Sequence, residues 1–256
     1  YGFETEIEIV RYLDKCDIIL DAGAGSANKA SWFASLSPNT TVVAVDISTS
    51  LIKASQVYSD IPNLFFIRAD LANLDFISDN FFDYVSCDQV IHHTAIPRNT
   101  FSELVRVTKK DKDLSCYVYR KKALPRELID DHFRSLSKNL SHEEIMDLSK
   151  RLTSLGKKLS QFDGEIDFEA IPQLGIEGGR MTIQRYLYWN FIKCFWDPIR
   201  GEEYSTIINY DWYAPSLASR YNEDEYKRWI NEEELKIIYF HREPACYSGR
   251  FRKTRD

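Results

Sequence analysis

Carboxylates and a pair of glycines stand where apolar runs of this chain give way to turns. In ILDAGAGSAN, residues 19–28, an apolar run stops at Asp21, and Gly23 and Gly25 follow before a helical segment begins. A strand ending in so tight a turn brings main-chain N–H groups up to a ligand. The helix behind it adds the partial positive charge of its N-terminus. Carboxylates recur at the ends of the next apolar runs: Asp46 after TVVAV, Asp70 after NLFFIRA, and Asp88 after FDYVSC. Gln89, Val90 and then His92 and His93 follow the last of these. A carboxylate accepts hydrogens from hydroxyl and amino groups, and a histidine exchanges a proton near neutral pH. The set points to a nucleotide-like ligand held by acids and amides, with a candidate base at the rim.

Two common loops fit poorly. A phosphate loop of the GxxxxGK[ST] type needs a lysine and a wider gap between its glycines. A dinucleotide loop, GxGxxG, would have its third glycine where this chain has Asn28, losing close helix–strand packing. That weakens a nicotinamide-dependent oxidoreductase, as does the lack of a recognisable Ser/Tyr/Lys or His/Asp hydride-transfer set.

The elements that must position these residues alternate. CDIILDAG, TVVAVDI, NLFFIRADL, FDYVSCDQV and DLSCYVYR read as strands, with helices over NKASWFASLS, STSLIKASQVYS and NTFSELVRVTK between them. Short continuous apolar runs mark strands covered on both faces. Repeated β-α units of this length require right-handed crossovers, hence an α/β fold with a doubly wound, mostly parallel sheet. After the fifth strand the rhythm breaks. Pro125 opens a helix with apolar positions Ile129, Phe133, Leu136 and Leu140. Ser141 and Glu144 form a capping box for a second helix carrying Ile145, Leu148, Leu152, Leu155 and Leu159. One apolar stripe on each predicts a packed helical hairpin. Residues 161–220 are less regular and rich in aromatics. NEDEYKRWINEEE then reads as a helix, and LKIIYFHR and CYSGRFRK as a closing antiparallel pair. The expected plan is a sheet domain, residues 1–120 and 221–256, interrupted by a mainly helical insertion, residues 121–220.

Composition narrows the function. The 256 residues are 44% hydrophobic and 28% charged, and Lys+Arg 33 against Asp+Glu 39 gives a net charge of −6. This argues against non-specific binding to nucleic acid or anionic membrane, which needs a basic field. The one basic cluster, Arg250, Arg252, Lys253 and Arg255, reads as a solvated tail. No stretch approaches the ~20 apolar residues of a membrane span, and the amphipathic, acidic opening YGFETEIEIV is not that of a signal peptide. Five scattered cysteines without CxxC spacing fit reduced thiols in a cytoplasmic protein.

LDAGAGSA, the strand ending at Asp46, RADL, and FDYVSCDQVIHHT, in this order at successive strand ends, together resemble class I S-adenosylmethionine-dependent methyltransferases. The resemblance covers residues 17–119 well and the closing strands loosely. It implies a Rossmann-like, seven-stranded methyltransferase sheet with an antiparallel last strand. It also implies S-adenosylmethionine as cofactor, S-adenosylhomocysteine as product, and no metal. On it, Ala22, Gly23, Ala24 and Gly25 form the loop, and Ala27 replaces a further family glycine. Asp21 faces the amino end of the methionine moiety and Asp46 holds the ribose hydroxyls. Ile47 packs on adenine, Asp70 and Leu71 meet its amino edge, and Asp88, Gln89 and Val90 line the methionine side. The Asn/Asp-Pro-Pro-aromatic run of the amino-methylating branch is missing at Asp88–Ile91, which argues against nucleic-acid bases or protein amides as acceptor. A small-molecule or sugar-type acceptor is expected, with His92 or His93 as base for an oxygen acceptor. The insertion is expected to act as a lid, with Tyr210, Trp212 and Tyr213 in the acceptor pocket and Arg180 as a partner for an anionic acceptor. It could also mediate a homodimer. A catalytically silent, methyltransferase-like binding domain is the reading from a different class.

Overall fold

The computed structural model describes residues 1–255; the last residue of the closing sheet segment expected above lies outside the described residues. The chain begins with α1 (Glu6–Leu13), β1 (Ile18–Ala22), α2 (Asn28–Leu36), β2 (Thr41–Asp46), α3 (Ser50–Val57) and β3 (Leu64–Arg68). β4 (Phe82–Cys87), α4 (Pro97–Val107) and β5 (Thr108–Arg120) follow. Next come α5 (Leu124–Ser137), α6 (His142–Leu159), β6 (Glu165–Phe168), β7 (Gly179–Thr182), α7 (Ile183–Asn190) and α8 (Gly201–Tyr213). β8 (Arg220–Tyr221), α9 (Glu223–Glu232), β9 (Leu235–Arg242) and β10 (Cys246–Lys253) close the chain. These elements fall into two units, one of Tyr1–Arg120 with the chain from Ser219 onward, the other of Lys121–Ala218.

The first unit is built on a sheet of order β3-β2-β1-β4-β5-β10-β9, with the short β8 beside β5. β3, β2, β1, β4 and β5 are parallel, and β10 runs antiparallel to both β5 and β9. From β1 the chain steps outward to β2 and β3, then returns to β4 on the other side of β1. In sheets of this kind the ligand sits at that reversal, outside the carboxyl ends of the strands. Successive residues of β1 enter opposite cores. Leu20 and Ala22 join Val43, Val45, Phe101, Leu104 and Trp229, whereas Ile19 joins Leu13, Ala30, Phe33, Val42 and Leu51. A strand covered on both faces needs no polar alternation, which is why these segments are unbroken apolar runs.

Two readings of the sheet domain change. β5 starts at Thr108, directly after α4, not at Asp113. Its polar lead-in is accommodated by Asp111 at φ +60° and a register shift against β4 between Phe82 and Tyr84. The basic cluster is not a solvated tail. Arg250, Arg252 and Lys253 lie in β10, where Arg250 and Arg252 reach the buried Asp113 at 3.6 and 2.7 Å. Lys253, itself buried, donates to Asn80 Oδ1 and to the Thr108 carbonyl. Positive charge is drawn inward because it meets acceptors there.

The second unit is where sequence periodicity misleads most. α5 buries Arg126, Asp130, Arg134 and Ser137, and Leu136 of the expected apolar stripe is 38% exposed. α6 packs chiefly on α8 and not on α5, so there is no α5–α6 hairpin. The α6–α8 seam is small and polar. Thr153 Oγ1 accepts from Asn209 Nδ2 at 2.8 Å, and a Cβ on Gly156 would lie 2.3 Å from the Cys194 carbonyl oxygen. Ile145 and Leu152 of the expected stripe are buried on α6, and Ser149, Thr153 and Gly156 lie buried beside them, so hydrogen bonds and close backbone approach share the interface with apolar packing. The irregular stretch also contains an antiparallel β6–β7 hairpin.

Candidate functional site

The glycine turn is fixed from two sides. Gly23, at φ +78°, donates its N–H to the Val45 carbonyl at 2.7 Å, and a Cβ there would lie 2.3 Å from Val90. Only glycine tolerates both that φ and that neighbour. Gly25, at φ +54°, donates to Asp46 Oδ2 at 2.8 Å, while Asp46 Oδ1 accepts from the Ser48 amide at 2.8 Å. Two main-chain amides thus hold the Asp46 carboxylate at the end of β2. A Cβ on Gly25 would meet nothing within 4 Å, so this side of the loop borders open space. Ala27, where the resemblance has glycine, is left-handed at φ 59° and fully buried. It precedes α2 as an N-cap that makes no side-chain hydrogen bond of its own.

Asp21 is 1% exposed. Lys29 Nζ, from the first turn of α2, lies 3.2 Å from its Oδ1 and 3.8 Å from Asp88 Oδ2. Asp88 Oδ1 also accepts from the Tyr1 hydroxyl at 2.5 Å. Lys29 and the Ala30 amide, both in the first turn of α2, are the donors that face this buried carboxylate. Burial holds the Asp21 carboxyl above its ordinary range, with Lys29 pulling the other way. Lys29 was not among the residues singled out from sequence. The available signal was a lone cation in the first turn of the helix behind an acid-glycine loop.

The remaining sheet-edge candidates divide by exposure. Ile47 is 62% exposed. Asp70 is exposed and accepts the Ala72 amide at 2.9 Å, whereas Leu71 is buried. Gln89 is exposed at φ +59°, and Val90 packs over Gly23. Ile91–His93 form a single 3-10 turn after β4. His92 is fully buried and stacks on Tyr119 with centroids 3.6 Å apart, while the half-buried His93 meets the same ring edge-on at 5.6 Å. The structure therefore brings together the glycine loop with Asp46 and Val90, and Asp21 with Lys29, Asp88 and Tyr1.

Residues 20–116 match the family described as methyltransferase domain. A methyltransferase domain thus spans residues 20–116, and the sheet around it has the fold of solved S-adenosylmethionine-dependent methyltransferases. Its fold is similar to a Burkholderia thailandensis 1,6-didemethyltoxoflavin-N1-methyltransferase solved with 1,6-didemethyltoxoflavin and S-adenosylhomocysteine. That match is 11% identical with a TM-score of 0.50, covering 97% of this chain and 77% of the other. An Aquifex aeolicus S-adenosylmethionine-dependent methyltransferase is 12% identical, TM-score 0.51, over 98% and 90% of the two chains. A chain from the Haloferax volcanii complex of the Trm112 methyltransferase activator with a putative methyltransferase is 12% identical, TM-score 0.52, over 96% and 88%. Among curated proteins none matches.

The family match ends at residue 116, and the candidates in the second unit, Lys121–Ala218, have their own surroundings. Tyr210 pairs its hydroxyl with His142 Nδ1 at 2.7 Å. Trp212 is buried and donates Nε1–H to Asp130 Oδ1 at 2.9 Å. Tyr213, also buried, donates its hydroxyl to the Lys193 carbonyl at 3.0 Å. Arg180 lies on the β6–β7 hairpin in an exposed ion pair with Glu165 at 3.1 Å. Trp212 and Tyr213 are interior groups of their unit, and Arg180 is a surface one. Among the described residues no helix is long and apolar enough to cross a membrane, and no group of three or more His, Cys, Asp or Glu could hold a metal ion.

Proposed function

We propose that this methyltransferase moves a methyl group from S-adenosylmethionine to a small-molecule acceptor, with sugar-type metabolites among the candidates. The observation that carries the cofactor reading is the joint of β1 and β2: the Gly25 amide fixes Asp46 while the glycine loop borders open space. The buried Asp21 carboxylate at the end of β1 is an acceptor suited to a group that brings amino hydrogens. The residues present therefore suit the cofactor. Asp46 would accept the ribose hydroxyls and repel a 2′-phosphate. Asp21, Asp88 and Gln89 would meet the methionine end, Ile47 would cover adenine, and Asp70 and Leu71 would meet its amino edge. Ala22, Ala24 and Val90 complete the wall.

The cofactor supplies an already activated sulfonium methyl. The protein's part is alignment for in-line displacement and exclusion of water. An oxygen acceptor must also lose a proton. His93, half-buried at the strand end, is a better base than His92, which is enclosed and stacked. Five free, buried thiols support a reducing, cytoplasmic setting.

Calorimetric titration with S-adenosylmethionine, S-adenosylhomocysteine and the nicotinamide dinucleotides tests the reading. The first two should bind and the dinucleotides should not. Asp46→Ala should weaken binding about a hundredfold, the loss expected for two charge-assisted hydrogen bonds. Dinucleotide binding, or an Asp46→Ala variant with unchanged affinity, would refute it. Silence from all of them would favour the non-catalytic reading.

A further inference from the structure

The indole of Trp212 is ringed by cations inside the second unit. The Arg126 guanidinium carbon lies 5.1 Å from the ring centroid, that of Arg134 5.3 Å, and Lys193 Nζ 4.6 Å. Asp130 is the carboxylate built into this group. Its two oxygens accept from Arg126 Nε at 3.0 and 2.9 Å, and Oδ1 also takes the Trp212 N–H. Arg126 is 1% exposed, and its Nη1 donates to the Tyr188 carbonyl. Asp130 is thus committed to Arg126 and to the indole.

Lys193 is in a different position. Among the described residues its ammonium has no carboxylate within ion-pair reach and no hydrogen-bond acceptor, only the face of Trp212. The charged groups around it are Arg126, Lys122 and Arg134, with Asp130 and Asp211 as the acids. Burial first, and these cations second, bring the Lys193 pKa down to about 7. The residue is half-buried and not sealed. A cation with an aromatic wall, repelled by cationic neighbours and lacking its own acid, is half of a charge pair.

We propose that Lys193, backed by Trp212, is a binding site within the second unit for an anionic group, carboxylate or phosphate, independent of the methyl-transfer reading. An arriving anion gives Lys193 the partner it lacks and favours its charged form, so binding slightly above neutral pH takes up a fraction of a proton.

The test is calorimetric titration of the full chain with inorganic phosphate and, separately, with benzoate, in two buffers of different ionisation enthalpy. The unmodified chain should bind at least one probe with proton uptake, and which probe binds distinguishes phosphate from carboxylate. Lys193→Met should weaken that binding at least about tenfold, in line with loss of a charge-assisted contact. Lys193→Arg should keep the binding and lose the proton uptake, and it decides the matter if the methionine variant does not fold. No binding of either probe, or equal binding by Lys193→Met, overturns the proposal. S-adenosylmethionine titrated in parallel separates the two readings. If the cofactor binds and no anion does, only this proposal falls; if the anion binds and the cofactor does not, only the cofactor reading falls.

Discussion

Lys29 and Asp21 form an ion pair at 3.2 Å with unequal burial: the carboxylate side chain is 1% exposed and the lysine 27%. Burial raises the Asp21 pKa above 3.8 and Lys29 opposes that rise. The folded state therefore holds this proton more tightly than the unfolded chain. The group's contribution to stability is greatest in acid, below 3.8, and is lost as pH rises through the raised folded value. Lys29 limits that loss at neutral pH. Lys29→Met should lower stability by about 2 kcal/mol near neutrality, less than for a fully enclosed pair because the lysine is partly solvated. In acid, where Asp21 is protonated in either protein, the difference should shrink. Urea midpoints across pH check this, and a constant difference would show that Lys29 acts by packing alone.

The two loop glycines should fail differently. Gly23→Ala combines a positive φ with a Cβ 2.3 Å from Val90. It should cost about 3 kcal/mol, as strain and overpacking add. Gly25→Ala has the strain without the clash and should cost about 1 kcal/mol. Its new methyl enters the space assigned to the cofactor. Thermal melts with a parallel S-adenosylmethionine titration should find a poorly folded first variant, and a folded second one that binds at least about tenfold more weakly. Full affinity in Gly25→Ala would move the cofactor away from this loop.

How much of this was legible in the chain follows from what each signal depends on. The strands and the acid at the end of each were readable because a run such as IILDAG is apolar until a turn needs something else. The pairing of the Gly25 amide with Asp46 was not, since it depends on the register of β1 against β2. Lys29 was missed because a single lysine in a first turn looks like any solvated charge. α5 was misread for a deeper reason. Periodicity assumes that the buried face is the apolar one, and here Asp130, Arg126 and Trp212 satisfy one another so fully that the charged face is interior. No one-dimensional pattern announces a partner that lies on another helix.

The histidine pair should separate structure from chemistry. His92 is fully buried against Tyr119, and His92→Ala should cost about 2 kcal/mol through the lost stack and the void. His93→Gln should leave the melting temperature nearly unchanged. With an oxygen acceptor found by screening, it should lower kcat on the order of a hundredfold, as for loss of a general base. It should also flatten the acid limb of the pH–rate profile. S-adenosylhomocysteine formation measures both, and a His93→Gln enzyme at full rate with the same pH profile would remove His93 from the chemistry.

The inward face of α5 gives the sharpest contrast between position and polarity. Asp130→Asn keeps the shape and removes the charge that balances Arg126, which is 1% exposed. An uncompensated buried guanidinium should cost about 3 kcal/mol. Leu136→Ala, at the expected apolar stripe but 38% exposed, should cost under about 1 kcal/mol because little area returns to water. If equilibrium urea unfolding reversed that order, the apolar stripe and not the charged one would be the packed face of α5. The measured order therefore decides whether the interior of this unit is organised by ion pairing around Trp212 or by its leucines.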